Sequence, residues 1–273
     1  MHARPDPQLI ARQIQAAQDQ ASQIAPLTQQ HAGYDLPQAY AAAQALHGLR
    51  LAAGARAAGR KIGFTNAAIW PTYGVYAPIW GPMYEHTLRA LDGTPARCSL
   101  GRFAEPRIEP EIALRLCRTP PPGAQPLELL ACVDQVAHGF EIVQSHFAGW
   151  KFQAADTVAD GGLHGALLLG PPQPVARLGP GLAAALETLT LTLYRDGQLV
   201  DQGRGANALG SPLAALAHLV ALLAAQPEAP PLQAGEWVTT GTLTAAFPVA
   251  PGQRWHTALQ GIALPGLDVE FTA

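Results

Sequence analysis

The chain has 273 residues, 48% of them hydrophobic and 14% charged, enough apolar material for one large domain or a domain with an appendage. Its formal net charge of -3 comes from 17 Lys and Arg against 20 Asp and Glu, with no basic run. That balance excludes a nucleic-acid-binding patch and a polybasic membrane-surface tract.

Taken in chain order, the N-terminus carries no apolar signal core after Met1-His2-Ala3-Arg4-Pro5-Asp6-Pro7. Leu9, Ile10, Ile14, Ala17, Ala21 and Ile24 then recur at helical spacing, with Asp6 placed to cap and Pro7 as the first helical residue. Pro26 ends that helix. A second is predicted from about Leu36 to Ala53, with Tyr40, Ala43, Leu46 and Leu49 on one face. Residues 1–58 read as a helical N-terminal cap, and residues 59–273 as a β-rich catalytic domain. Arg60-Lys61-Ile62-Gly63-Phe64-Thr65 is a short β-type segment with a lysine among apolar residues. Residues 66–96, rich in aromatics, Pro and Gly, read as one long structured loop.

A strand is predicted over 107–116, a Pro-rich turn over 120–123, and a helix from about Pro126 to His138, followed by a strand around Glu141. Leu163–Leu169 and Thr188–Tyr194 read as strands, and Asp196-Gly197 as a hairpin turn. Ser211-Pro212 caps a helix, and strands over 235–249 and 254–271 close the chain. The most apolar run, Ala214–Ala225, is interrupted by His218 and too short to span a bilayer. Three cysteines (Cys98, Cys117, Cys132) without C-x-x-C spacing fit small buried side chains in a reducing compartment. Together these features read as a soluble cytoplasmic protein. Strands and helices do not alternate regularly, which argues against a doubly wound sheet.

The chemistry concentrates in Ile108-Glu109-Pro110-Glu111-Ile112. Side chains alternate along a strand, so Glu109 and Glu111 share a face. Like charges side by side in a partly buried place repel, and a bound cation relieves them. Glu141, among Phe140, Ile142 and Val143, is a charge that needs a partner. Three converging carboxylates suit a hard ion such as Mg²⁺ or Mn²⁺. The same E-x-E pattern also fits the wet face of a half-exposed strand, and Pro110 points to an edge or a bulge. His138, His146 and His164 read individually as surface or core residues. The chain has no P-loop, no dinucleotide fingerprint, no G-x-S-x-G and no H-E-x-x-H.

Lys61–Thr65, Ile108–Ala113, Gly139–Ser145, Asp156–Asp160, Gly203–Gly205, Leu209–Leu213 and Gly235–Gly241 occur in that order. The set, spanning about residues 8–271, resembles the 2-keto-4-pentenoate hydratase and 4-oxalocrotonate decarboxylase branch of the fumarylacetoacetate hydrolase superfamily. The resemblance implies an α+β fold, a mixed β-roll with a helical N-terminal part. It implies Mg²⁺ or Mn²⁺ held by Glu109, Glu111 and Glu141, with Lys61, its pKa lowered by desolvation, as a catalytic proton shuttle. It also places Asp160, Thr240, Gly241 and Thr242 at the substrate, although the late loop reads equally as an ordinary strand turn. Two segments depart from the family pattern, Gly74–Pro78 and Gly161–His164. Tyr76 and His164 are the candidates to replace the polar groups missing there.

The activity implied is hydration of a short 2-hydroxydienoate to a 4-hydroxy-2-oxo acid in the breakdown of aromatic compounds. The alternatives are decarboxylation of a 2-oxo dicarboxylate and a poorly active partner subunit that binds metal and ligand. Self-association, or association with a related decarboxylase or hydratase, is expected from the same resemblance.

Overall fold

The first fifty residues carry their apolar side chains at helical spacing, and they fold accordingly. The computed structural model describes residues 4–67, 70–73, 75–92 and 95–273. Helix α1 (Pro7–Gln20) starts where Asp6 accepts a hydrogen bond from the Gln8 N–H, and it ends at a left-handed Ala21. After the single turn α2 (Leu27–Gln30) comes α3 (Leu36–Ala52), opened by a reciprocal capping box between Asp35 and Gln38. Ile10, Ile14, Leu27, Ala39, Ala42 and Leu46 are buried in one cluster with Phe147 and Val158.

Strand β1 (Ala57–Gly63) leads through α4 (Trp70–Tyr73) to β2 (Ile79–Tyr84), β3 (Leu88–Ala90) and β4 (Ala96–Ser99). Two strands, β2 and β3, therefore lie inside the stretch 66–96 that reads as a loop. Ile79, Gly81 and Met83 alternate inward along β2, a pattern that Gly81 and Pro82 disguise in the sequence. Next come β5 (Arg107–Leu116), α5 (Pro126–Leu130) and β6 (Val133–Val143). The helix predicted over 126–138 stops at Leu130, because β6 pairs with β5 along its whole length, from Arg107↔Val143 to Leu116↔Val133. Ladder hydrogen bonds and cross-strand packing override the local helical spacing there.

The chain continues with α6 (Ala154–Ala159), β7 (His164–Leu169), β8 (Gln173–Pro174), α7 (Val175–Leu178) and α8 (Leu182–Thr188). Then follow β9 (Thr190–Arg195), β10 (Gln198–Arg204), α9 (Pro212–Ala224), β11 (Trp237–Thr242), β12 (Phe247–Pro248), β13 (Arg254–Gln260) and β14 (Asp268–Thr272). Asp196 and Gly197 join β9 to β10 with positive φ angles of 52° and 77°, the hand a two-residue hairpin needs. Ser211 caps α9 by accepting from the Ala214 N–H. Among the described residues, Gly205–Ala224 is the one helical stretch long and apolar enough to cross a membrane. It consists of a 3₁₀ turn and the 13-residue α9, and Leu213, Leu216, Leu219 and Leu223 of α9 lie in the core.

The strands form two sheets, a mixed one ordered β2-β1-β11-β5-β6-β7-β3, with β12 on β5 and β8 on β6, and a second ordered β10-β9-β13-β14-β4. With mainly antiparallel pairing and no regular β-α-β alternation, this is the α+β, mixed β-roll architecture. The largest core cluster joins Ile108, Ile112, Leu114 and Phe140 of the first sheet to Leu191, Leu193, Trp255 and Phe271 of the second. Leu213, Leu216 and Leu219 of α9 pack into the same cluster.

Trp255 is fully buried between Phe247 and the Arg195 guanidinium, and its indole N–H donates to Gln253. Trp255→Ala is expected to cost about 3–5 kcal/mol of unfolding free energy, read as a lowered denaturant midpoint with unchanged strand content.

Candidate active site

The antiparallel register of β5 and β6 puts Glu109 directly opposite Glu141 and Glu111 opposite Gly139. The period-2 alternation of β5 carries Glu111 to the same side as Glu109. The three carboxylates converge, each offering an oxygen within 4.8 Å of the others. Glu111 and Glu141 are fully buried and Glu109 is half-buried, so the wet-face reading of E-x-E does not hold.

Pro110 points to an edge strand or a bulge, and the bulge is what forms. Strand β5 is central, and the extra residue lies on β11, where pairing passes from Thr239↔Ala113 to Thr242↔Glu111. Gly241 takes up the bulge at φ 93°, and a Cβ there would lie 1.7 Å from Thr65 Oγ1. The position, open only to glycine, serves the site, because the Gly241 N–H donates to Glu111 Oε2 at 2.8 Å.

Lys61 enters from β1. Its Nζ donates to the Gly162 carbonyl at 2.9 Å and lies 3.4 Å from Glu141 Oε1. His164, at the start of β7, sets Nδ1 2.8 Å from the same Glu141 oxygen and Nε2 2.9 Å from Thr87 Oγ1. A narrow cavity opens over this group. Besides Lys61 and Glu109 it is lined by Thr65, Arg107, Trp150, Phe152, Gly162, Gly241 and Thr242.

The electrostatics follow from three carboxylates facing one ammonium. Burial lifts Glu109 to about 7, with Lys61 pulling it down and Glu141 pushing it up. Burial, then the charges of Glu141 and Glu109, also holds Glu111 well above the ordinary carboxylate range. Glu141 feels the same burial, but Lys61 and His164 outweigh it and keep it below that range. Lys61 is shifted upward. Desolvation pulls its pKa down, yet in the metal-free site Glu141, Glu109 and Glu111 together more than reverse that; the lowered pKa expected from the sequence is for a lysine beside a bound cation that balances those carboxylates. Glu111 Oε1 and Glu141 Oε2 are buried without a hydrogen-bond partner. Orphaned inward oxygens and excess negative charge are what a hard divalent cation satisfies, so Glu109, Glu111 and Glu141 fit such an ion.

The other predicted residues are distributed differently. Gly241 and Thr242 line the cavity, but the Gly241 N–H is taken by Glu111 and the Thr242 hydroxyl donates to the Thr244 carbonyl. Thr240 is fully buried and donates to the Ile112 carbonyl, so it supports the sheet rather than reaching the cavity. Tyr76 is 74% exposed and does not line the cavity. Asp160 lies on the far side of the Gly161–His164 turn, its carboxylate held by His146 at 2.7 Å and Gln18 at 2.9 Å. His138 is a core residue bonded to the Glu111 carbonyl and Thr257, and burial pushes its pKa down to about 4. Arg107, whose guanidinium stacks 4.1 Å from the Trp150 ring, was not singled out in the sequence. The alternation that pairs Glu109 with Glu111 would have placed it on their face.

Fold and site together define a β-roll protein with a buried acidic triad for a divalent ion and a lysine beside it. Residues 82–264 match the fumarylacetoacetate hydrolase C-terminal family, and the chain belongs to that family. It is 31% identical over 253 residues to the 2-hydroxyhexa-2,4-dienoate hydratase of Comamonas testosteroni, covering 92% of each chain. It is also 31% identical over 255 residues to the 4-oxalocrotonate decarboxylase of Pseudomonas putida, covering 93% of this chain and 92% of the relative. The structure of 4-oxalocrotonate decarboxylase from Pseudomonas putida G7, complexed with magnesium and adipate, superposes with a TM-score of 0.89 at 26% identity over 99% of both chains.

The raised carboxylates give a pH signature. Glu109 in the folded, metal-free protein holds a proton up to about pH 7, whereas its unperturbed value is 4.5. The folded state binds more protons across that window, so the stability of metal-free protein falls as pH rises through it. A divalent ion removes the repulsion, and the rise in melting temperature on adding Mg²⁺ is expected to be larger above about pH 7 than below about pH 5. Equal rises at both ends, measured by thermal unfolding, would count against the triad as the ligand set.

Proposed function

We propose that the protein is a metal-dependent lyase that hydrates a short 2-hydroxydienoate to a 4-hydroxy-2-oxo acid. The observation that carries this reading is the acidic triad with two orphaned oxygens beside a buried lysine. Glu109, Glu111 and Glu141 would hold Mg²⁺ or Mn²⁺, which supplies Lewis-acid stabilisation of the negative charge that develops on the substrate's 2-oxygen.

The chain's own residues do the rest. Lys61 is fixed at Nζ by the Gly162 carbonyl and by Glu141, a position from which it delivers a proton to the dienolate carbon and accepts one back. One water adds at C4, so the net change is gain of H₂O across a carbon–carbon double bond. Trp150, Phe152, Val143 and Leu163 supply the apolar part of the cavity lining and keep bulk water from the reactive carbons. His164 and the Gly241 N–H hold Glu141 and Glu111 in place. Asp160, Thr240 and Thr242 have positioning rather than chemical roles in this reading, and Tyr76, exposed and off the cavity, has no part in it.

Decarboxylation of a 2-oxo dicarboxylate is the second reading, favoured by the close superposition on a 4-oxalocrotonate decarboxylase. It uses the same dienolate chemistry, with loss of CO₂ and protonation of the remaining carbon in place of water addition. The reading also includes a cytoplasmic homo-oligomer; light scattering on the pure chain tests self-association.

The deciding experiment follows the ultraviolet band of 2-hydroxypenta-2,4-dienoate. Metal-dependent loss of the band with a 4-hydroxy-2-oxo product, blocked by EDTA, is expected. A stable band together with CO₂ release from 2-oxohex-3-enedioate would replace hydration by decarboxylation. Inertness towards both, with metal binding retained, would leave a non-catalytic partner subunit. Lys61→Met is expected to lower turnover by about 10²–10⁴-fold while metal binding, measured by calorimetry, persists.

A further inference from the structure

The Gly161–His164 turn separates two cavities. Gly162 and Leu163 face the metal-fitting cavity, whereas Gly161 and His164 line a second one of about 370 Å³. The two share no lining residue. The second cavity gathers three guanidinium groups from separate parts of the chain, Arg50 of α3, Arg89 of β3 and Arg102 of the β4–β5 loop. His86 joins them, and its pKa is pulled down by burial and then by the charges of Arg50, Arg102, His164 and Arg89.

The protein neutralises only part of this cluster itself. Asp19 lines the cavity but pairs with Arg50. Asp160 lines it too, but His146 and Gln18 already engage its carboxylate. Among the described residues, the side chains of the half-buried Arg89 and the exposed Arg102 make no hydrogen bond or ion pair with the protein. Gln144, only 6% exposed, accepts the Ala104 N–H through Oε1, and its Nε2 has no protein acceptor. The Thr87 hydroxyl sits on the same wall. The Thr87 hydroxyl is spent on the Tyr84 carbonyl and the lining carboxylates are engaged, so two guanidinium forks and one amide N–H₂ are left with donors to spare, which an entering anion satisfies.

We propose that this cavity is a second binding site, for a small polyanion bearing carboxylate or phosphate groups. The volume exceeds that of a single inorganic ion and suits a compact metabolite with two or three anionic groups. The ligand rests against His164, whose ring braces Glu141, so the site abuts the acidic triad without sharing a residue with it. The assignment does not depend on which reaction the triad performs.

The test titrates the full-length protein by calorimetry with inorganic phosphate and with citrate at fixed ionic strength and fixed free Mg²⁺, the heat of each anion mixing with Mg²⁺ alone being subtracted. Saturable binding of at least one of them, one per chain, is expected. The Arg89→Gln/Arg102→Gln double variant is expected to bind about tenfold more weakly or worse, with its Mg²⁺ affinity unchanged. Neither arginine supports the fold through a hydrogen bond or ion pair, and the Arg102→Gln single variant serves if the double one is unstable. Tighter phosphate binding would identify a phosphorylated ligand, and tighter citrate binding a polycarboxylate. Absence of saturable binding, binding equal in variant and parent, or binding that disappears in metal-free protein assayed without added chelator would overturn the proposal. A change in oligomer mass in the variant would overturn it too, by making the cavity a contact between subunits.

Discussion

Everything around the centre of the large sheet answers to one imbalance, three carboxylates against a single ammonium in a place that water barely reaches. At an effective dielectric constant of about 20, two charges 4 Å apart interact by about 4 kcal/mol, so one lysine cannot settle three carboxylates. The protein therefore holds protons on Glu109 and Glu111 or takes up a cation. The cost of keeping this charge buried is spread over the most heavily hydrogen-bonded part of the fold, the β11-β5-β6 ladders. A loop would not hold three repelling groups within 4.8 Å of one another.

That constraint explains where side chains are missing. A Cβ on Gly81 would sit 2.1 Å from the Gly161 carbonyl oxygen, and one on Gly162 would sit 2.8 Å from Lys61 Cδ. Strand β2 and the 161–163 turn close in because both lack side chains at those points. Gly161, Gly162 and Leu163 all take positive φ angles, 64°, 72° and 63°. The resulting turn directs the Gly162 carbonyl to Lys61 Nζ and sends His164 to Glu141. The Gly161–His164 segment is thus the piece that positions both partners of Glu141.

Part of this was legible before any coordinates. Period-2 alternation aligned Glu109 with Glu111, and a charge inside an apolar strand singled out Glu141, because both arguments use only local geometry and the cost of burial. Helix starts at Asp6 and Ser211 were readable for the same local reason. What failed depended on pairing between distant segments. The Val133–His138 stretch has helical spacing but joins β5, and the register that brings His164 onto Glu141 leaves no trace in sequence. Hydroxyls and amides near the bulge looked available for a substrate, whereas in the fold Ile112, Thr244 and Glu111 claim them. Tyr76 carries an aromatic ring on a segment rich in Gly and Pro, and only the fold reveals that it points to solvent.

The hydrogen bonds at the triad share a logic that neither residue identity nor burial alone expresses. Glu141 is gripped at Oε1, by both Lys61 and His164, and its Oε2 is left open. Glu111 is gripped at Oε2 by the Gly241 N–H, and its Oε1 is left open. Each buried carboxylate thus spends one oxygen on its own orientation and presents the other inward. Supporting contacts of this kind fix a ligand's direction before any ion arrives and reduce the reorganisation that binding requires. The bulge at Gly241 and the left-handed turn at Gly161–Leu163 are the backbone irregularities that set these two grips, and glycine supplies the positive φ at three of the four positions.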